Sequence, residues 1–285
     1  MKATILGILG AALLVGTSAA QEKRAPLDTE GLPAYLRDRG QGTSLSQFAS
    51  YVQKRELIIY PFYEYYHDSD YEYSPNELGQ ALDQDFRGSY KANEVLLFLA
   101  YGVTERLAIE LEAAYIDAEL EKSNEDPTSL PAKISESGVG DVEGQIRYRW
   151  ALETPSRPEI FSYFETVGPT QDEGSLIGTT DWEFKLGFGV MRGYSWGTVT
   201  GRGAVEYDLA EDAGALGELA VEYVRRLSAK WRVYGGFEGT QDEVSVITEA
   251  QWHFVPRGCL KMNSGFGLTS KATDWAPEVG VMLSL

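Results

Sequence analysis

The alternation in residues 138–150, GVGDVEGQIRYRW, is the feature that most restricts what this chain can fold into. Every second residue from Val142 to Trp150 is apolar or small, while the residues between them, from Asp141 to Arg149, are charged or polar. Successive side chains of a β-strand point to opposite faces of a sheet, so this stretch predicts a strand with one apolar and one ionic face. The pattern does not by itself say which face meets water.

The same period of two continues along most of the chain after residue 54. Each stretch is long enough to cross the apolar part of a bilayer when tilted, which takes about 9–11 residues. The connections 68–91, 118–138 and 169–179 are long and polar and the others are brief, a pattern typical of outer-membrane barrels. We predict strands near 54–67, 92–103, 105–117, 139–152, 158–168, 180–192, 197–208, 215–227, 229–239, 243–255, 259–269 and 275–285.

The apolar faces of these stretches carry almost no charge. The set from Leu107 to Tyr115 alternates with Glu110 and Glu112, and the set from Val244 to Phe254 alternates with Glu249. A cationic side chain on a lipid-facing position costs about 2–4 kcal/mol at the bilayer midplane. The apolar faces are therefore predicted to meet lipid and the ionic faces to line a lumen. The predicted fold class is all-β: a transmembrane antiparallel up-and-down β-barrel of about 12 strands, with a short, partly helical N-terminal segment.

The first part of the chain differs from the rest. Residues 1–20 combine Lys2, an apolar run and a small-residue end at Ala20, which is the layout of a cleaved secretory signal peptide; the apolar run is too short for a membrane anchor. Residues 21–53 contain Leu45, Phe48 and Val52 at helical spacing. Two interpretations fit this segment: a plug inside the barrel or a periplasmic leader. We thus predict three segments: the signal peptide at 1–20, the plug or leader at 21–53 and the β-barrel at 54–285.

The inward faces gather charges of both signs. Such a lumen is either a salt-bridged, partly closed interior or a polar channel with a charge-selective constriction, and the sequence leaves both open because it gives neither shear nor pore radius. The candidate selectivity residues on these faces are Glu110, Glu112, Asp141, Glu143, Arg147, Arg149, Lys185, Arg202, Glu206, Glu222, Arg232, Glu249 and Lys261.

Catalysis is not indicated. His253 falls in the inward set whereas Ser264 falls in the lipid-facing set of the next predicted strand, so the two are not expected to form a dyad. We find no phosphate-binding loop, dinucleotide motif or metal-ligand spacing, and we expect neither a metal nor another cofactor. The formal net charge of −18 argues against a nucleic-acid partner, and the single cysteine, Cys259, has no intramolecular partner for a disulfide.

Two blocks resemble a known family. EVLLFLAYGVTERLAIELEAAY at 94–115 and GVGDVEGQIRYRW at 138–150 are similar to outer-membrane proteins of the meta-pathway phenol-degradation transporter type. The resemblance covers roughly 50–285. It departs from the usual pattern at Leu285, where barrels commonly end in an aromatic residue, and at Pro61, which lies inside a predicted strand.

The resemblance implies an outer-membrane channel or transporter for small, aromatic or hydrophobic molecules. The alternative is a sealed structural or surface-interaction barrel without transport. The expected location is the outer membrane of a Gram-negative bacterium, and the expected partners are its lipid, its lipopolysaccharide, the outer-membrane assembly machinery and a small molecule of unknown identity.

Overall fold

The computed structural model describes residues 52–170, 176–179, 181–209, 213–241, 243–255 and 257–285. The prediction of an all-β fold with 12 strands is confirmed. The strands are β1 (Leu57–Tyr73), β2 (Phe86–Gly102), β3 (Leu107–Glu121), β4 (Lys133–Ala151), β5 (Glu159–Gly168), β6 (Glu183–Tyr194), β7 (Gly197–Asp208), β8 (Ala213–Arg226), β9 (Trp231–Gly239), β10 (Val244–Val255), β11 (Gly258–Gly267) and β12 (Trp275–Ser284).

The strands form one closed antiparallel barrel in which each pairs with its neighbours in sequence and β1 pairs with β12. The closure begins where the amide of Leu57 donates to the carbonyl of Leu285 (3.1 Å) and the amide of Leu285 donates to that of Leu57 (2.8 Å). We call this the terminal end of the barrel and the opposite side the loop end. A closed ring leaves no unpaired strand edge, as a chain surrounded by lipid requires.

The two faces of the wall differ as the alternation predicts. In β3, Ile109 is 48 % exposed and its neighbour Glu110 only 3 %; in β4, Ile146 is 51 % exposed and Arg147 only 5 %. Because the outer surface of an isolated barrel is the lipid-facing one, exposure here marks the membrane side. Within the described ranges, no helix is long and apolar enough to span a membrane.

Four strands extend further than the sequence predicts. Residues 68–91 and 118–138 were expected to be loops, but β1 continues to Tyr73, β2 begins at Phe86, β3 continues to Glu121 and β4 begins at Lys133. The apolar alternation of the outer face ends near the predicted strand ends, whereas the hydrogen-bonded pairing of neighbouring strands continues beyond them. A prediction based on the period-two alternation of apolar residues therefore ends these strands too early.

Pro61 lies inside β1 without breaking it. Pairing with β2 continues through Pro61 and its partner Leu97, while the ladder toward β12 is interrupted between Ile59 and Phe62. Proline has no backbone N–H to donate to a neighbouring strand, and the interruption lies where that hydrogen bond would be missing.

Two glycines of β6 make room for aromatic rings of β5. Gly189 pairs with Phe161 and Gly187 with Tyr163. A Cβ atom added at Gly189 would lie 2.1 Å from the Phe161 ring, and one added at Gly187 would lie 2.0 Å from the Tyr163 ring. Both rings therefore lie flat against the wall, where only glycine leaves space for them.

Candidate functional site

The lumen is the candidate site, and all the charged residues assigned to it from the sequence lie on the inner side of the wall. Seven of them are buried: Glu110, Arg147, Arg202, Glu222, Arg232, Glu249 and Lys261. The other six are half-buried: Glu112, Asp141, Glu143, Arg149, Lys185 and Glu206. Their side chains come from strands β3, β4 and β6 to β11, so they line most of the circumference of the lumen.

Arg202 of β7 is the centre of the densest ionic cluster. It forms ion pairs with Glu218 and Glu222 of β8, and its Nη2 lies 3.4 Å from Oε2 of Glu238 in β9. The hydroxyl of Tyr163 in β5 donates to Oε2 of Glu218 at 2.5 Å. These bonds link side chains of four strands, so the cluster fixes one side of the lumen rather than leaving it free to respond to a passing ion.

Two other buried cations, Arg147 and Lys261, have their own carboxylates. Arg147 lies 3.7 Å from Glu110 and over the ring of Phe161 at 5.5 Å. Lys261 lies 3.1 Å from Glu249 and over the ring of Tyr60 at 4.6 Å.

Two half-buried cations are paired in the same way, Arg149 with Glu159 at 2.6 Å and Lys185 with Glu165 at 2.9 Å. Such cross-strand pairs match the salt-bridged interior that the sequence left as one of two possibilities.

The terminal half of the lumen, as far as the described residues define it, is filled by side chains of its own wall. The largest fully buried side chains there include those of Arg232, Tyr60, Phe161, Lys261 and Gln251. An apolar cluster occupies the β1, β2, β11 and β12 side and is formed by Val52, Ile58, Tyr60, Phe62, Leu96, Phe98, Ala100, Ala108, Cys259 and Met282. Side chains packed at this density leave little room for a solute.

The inner face of the loop half also carries aromatic and aliphatic side chains, and residues of the loops pack against them there. We call this set the mouth cluster. Tyr71 and Tyr90 stack with ring centroids 4.7 Å apart, and the hydroxyl of Tyr73 donates to Asp126 in the β3–β4 loop at 3.0 Å. The cluster is formed by the buried residues Tyr73, Phe86, Ala92, Leu120, Ala118 and Ile177, with the half-buried Tyr66, Tyr71, Leu78, Leu82, Tyr90, Ile116, Leu130, Ile134 and Leu176 packed against them.

Sequence reasoning missed the mouth cluster. A register shift between Asp68 and Tyr71 moves the inward set of β1 from even to odd residue numbers, so a strict period of two does not continue to Tyr73. The available signal is the aromatic density of the stretch 60–73, which continues past residue 67, where the predicted strand ends. A β-bulge changes the face of every residue beyond it, and local pattern alone does not place bulges.

Carboxylates lie between these two halves. Glu64 of β1 is the cross-strand partner of both Glu94 in β2 and Glu278 in β12. Glu112 and Glu143 are cross-strand partners on β3 and β4. The middle of the lumen is therefore electronegative on the side formed by β12 and β1 to β4.

A depression of about 570 Å³ at the loop end is lined mainly by polar side chains, Arg87 among them. Arg87 donates to the carbonyls of Asp70 and Ser270 and to Glu72, so it holds the rim together. The described residues contain no group of three or more His, Cys, Asp or Glu side chains placed to hold a metal ion.

His253 lies buried in the lumen, whereas Ser264 is half-buried and lies on the outer face of β11 between the exposed Met262 and Phe266.

Comparison with solved structures identifies the architecture. An outer membrane channel of Pseudomonas putida F1 superposes with a TM-score of 0.61 over 86% of this chain and 99% of its own, at 14% identity. The translocator domain of the autotransporter NalP from Neisseria meningitidis superposes with a TM-score of 0.54 over 81% of this chain and 88% of its own, at 11% identity. The fold is that of an outer-membrane β-barrel.

No family model matches the sequence. No curated protein matches it either. At these identities the structural likeness shows the fold alone.

Proposed function

We propose that this protein is an outer-membrane channel for small, aromatic or other hydrophobic molecules. The mouth cluster carries the proposal, because its half-buried tyrosine, leucine and isoleucine side chains offer an aromatic solute an apolar surface at the loop end of a polar barrel. Two likenesses support the same function. One is to the outer membrane channel of Pseudomonas putida F1, which has the same fold. The other is the sequence resemblance to the phenol-degradation transporters.

The sealed barrel is the second candidate, and a specific observation favours it. The terminal half of the lumen is packed with the fully buried side chains of Arg232, Lys261 and Phe161. For a channel, this packing corresponds to a closed state that has to rearrange before a solute passes. For a structural barrel, it is the permanent interior.

The proposed location is the outer membrane of a Gram-negative bacterium, reached through a signal peptide at 1–20 that is then removed. Residues 1–51, and with them the predicted signal peptide and nearly all of the plug or leader at 21–53, lie outside the described residues. In this setting the loop end faces the cell exterior, lipid and lipopolysaccharide contact the outer wall, and the outer-membrane assembly machinery inserts the chain. We also propose that the protein has no catalytic role.

Permeation through the purified full chain tests the proposal. Proteoliposomes containing the protein are expected to take up a small neutral aromatic compound, such as phenol, faster than protein-free liposomes do. Tyr71→Ser should slow this uptake because it removes one ring of the stacked pair in the mouth cluster. Tyr194→Ser, which removes an exposed ring at the terminal end, should not. Uptake no faster than in protein-free liposomes would favour the sealed barrel.

A further inference from the structure

A small cavity in the inner wall, away from the mouth cluster, is lined by four glutamates and one glutamine together with two apolar residues. Its volume is about 60 Å³. It lies where β2, β3, β4 and β5 meet, and its lining consists of Phe98, Glu110, Leu111, Glu112, Glu143, Gln145 and Glu165. Apart from the Gln145 amide, none of these side chains offers a donor when the carboxylates are ionised.

The single donor is already used. Gln145 is 8 % exposed, and its Nε2 donates to Oε2 of Glu165 at 2.8 Å. Its Oε1 is buried and has no hydrogen-bond partner among the described residues. Oε1 of Glu110, a side chain that is 3 % exposed, makes no hydrogen bond within the described chain but lies 3.7 Å from Nη1 of Arg147. Buried polar atoms normally have a partner, so the Gln145 Oε1 atom at this cavity indicates that a donor is missing.

The charge at the cavity favours a cation. Glu110 and Glu165 have cations within ion-pair distance, Arg147 and Lys185 respectively. Glu143 forms no ion pair within 4.0 Å in the described structure, and its cross-strand partner Glu112 is also a carboxylate. Glu143 is half-buried and therefore still reachable from the lumen. An anion entering this cavity would meet carboxylates at short range, whereas a cation would be stabilised.

The residues that line the cavity distinguish between cations. Calcium and magnesium need oxygens converging at about 2.0–2.6 Å, and no metal-holding group of acidic side chains exists among the described residues. An ammonium group donates three hydrogen bonds at about 2.7–3.2 Å, which suits a wider set of acceptors. Phe98 adds a ring face to the lining, and aromatic rings attract ammonium ions.

We propose that this cavity binds the ammonium head group of a primary amine, with Gln145 Oε1 and the Glu143 carboxylate as acceptors. The apolar part of the amine extends from the cavity into the lumen. The inference rests on the proposed function only for access to the lumen, and it names amines as a substrate class for the channel: protonated aromatic or alkyl amines in preference to aromatic acids.

Calorimetric titration of the purified full chain in detergent at neutral pH tests this directly. Benzylammonium is expected to bind, and benzyl alcohol and benzoate, which share its ring, are expected to bind at least about tenfold more weakly, the ratio for losing one hydrogen bond to a charged group. Glu143→Gln and Gln145→Leu should each weaken benzylammonium binding by about tenfold or more. Glu119→Gln, which removes a carboxylate paired with Lys133 on the outer side of β3, should leave it unchanged.

Folding of each variant is checked by its heat-modifiable migration on gels, and Glu143→Asp replaces Glu143→Gln if the latter does not fold. Equal binding of benzyl alcohol and benzylammonium, or wild-type affinity in the Glu143 and Gln145 variants, would overturn the inference. Binding of benzylammonium without any uptake by proteoliposomes would overturn the proposed channel and leave this site intact. Uptake of phenol without benzylammonium binding would overturn the amine site and leave the proposed channel intact.

Discussion

Ile146 and Arg147 are neighbours in β4, and they lie on opposite sides of the barrel wall. The side chain of Ile146 is 51 % exposed on the outer surface, whereas Arg147 is 5 % exposed and lies 3.7 Å from Glu110 inside the lumen. One peptide bond therefore separates a position suited to hydrocarbon from one suited to an ion pair.

Ile146→Arg is expected to destabilise the barrel by about 2–4 kcal/mol, because it places a cation in hydrocarbon near the middle of the strand. Urea unfolding of the protein refolded in liposomes measures the change. Ile146→Leu, which keeps the position apolar, should be close to wild type. Equal stability of the arginine and leucine variants would mean that this face does not contact lipid.

Gly189→Ala is expected to destabilise the barrel by about 1–3 kcal/mol, the usual cost of overpacking. The added Cβ would lie 2.1 Å from the ring of Phe161. Gly201→Ala is the matched control, because nothing lies within 4 Å of the corresponding Cβ in β7. Combining Gly189→Ala with Phe161→Leu should cost less than the sum of the two single changes, and strict additivity would show that ring and glycine do not interact.

Arg202→Met should cost about 3–5 kcal/mol of the free energy of unfolding, because it leaves the buried Glu222 and its neighbour Glu218 without their cation. Adding Glu222→Gln is expected to restore part of the loss. Denaturant titration provides the measurement. Lys133→Met breaks an exposed pair with Glu119 and should change stability by less than about 1 kcal/mol. A loss no larger in Arg202→Met than in Lys133→Met would contradict the structural role of the cluster.

The contact between Asp274 and Ser69 is expected to weaken in acid. The hydroxyl and the amide of Ser69 donate to Oδ2 of Asp274 at 2.6 and 2.9 Å, and these bonds lower the pKa of Asp274 in the β11–β12 loop. A carboxylate with a lowered folded pKa stabilises its contact above the unfolded value of about 3.9, and that stabilisation is lost as pH falls through the folded pKa. A protease that is active in acid should therefore cut loop 268–274 faster as the pH falls through the folded pKa of Asp274. Asp274→Asn should be cut fast at every pH tested.

The sequence determined the class of this protein and the side of the wall on which most residues lie. Strand geometry has a period of two that no tertiary contact changes, so the alternation from Val142 to Trp150 is enough to separate Ile146 from Arg147. Twelve such stretches, each long enough to span a bilayer, leave a closed barrel as the arrangement that satisfies every backbone hydrogen bond in lipid.

Only the tertiary structure decided which inward residues meet. Arg202 contacts Glu218, Glu222 and Glu238 because of the register between β7, β8 and β9, and the acceptors around Gln145 converge because four strands meet there. The mouth cluster likewise depends on the shift between Asp68 and Tyr71. Register and bulges are set by the cooperative pairing of whole strands, so the pattern along one strand fixes which way a side chain points but not which side chain it faces.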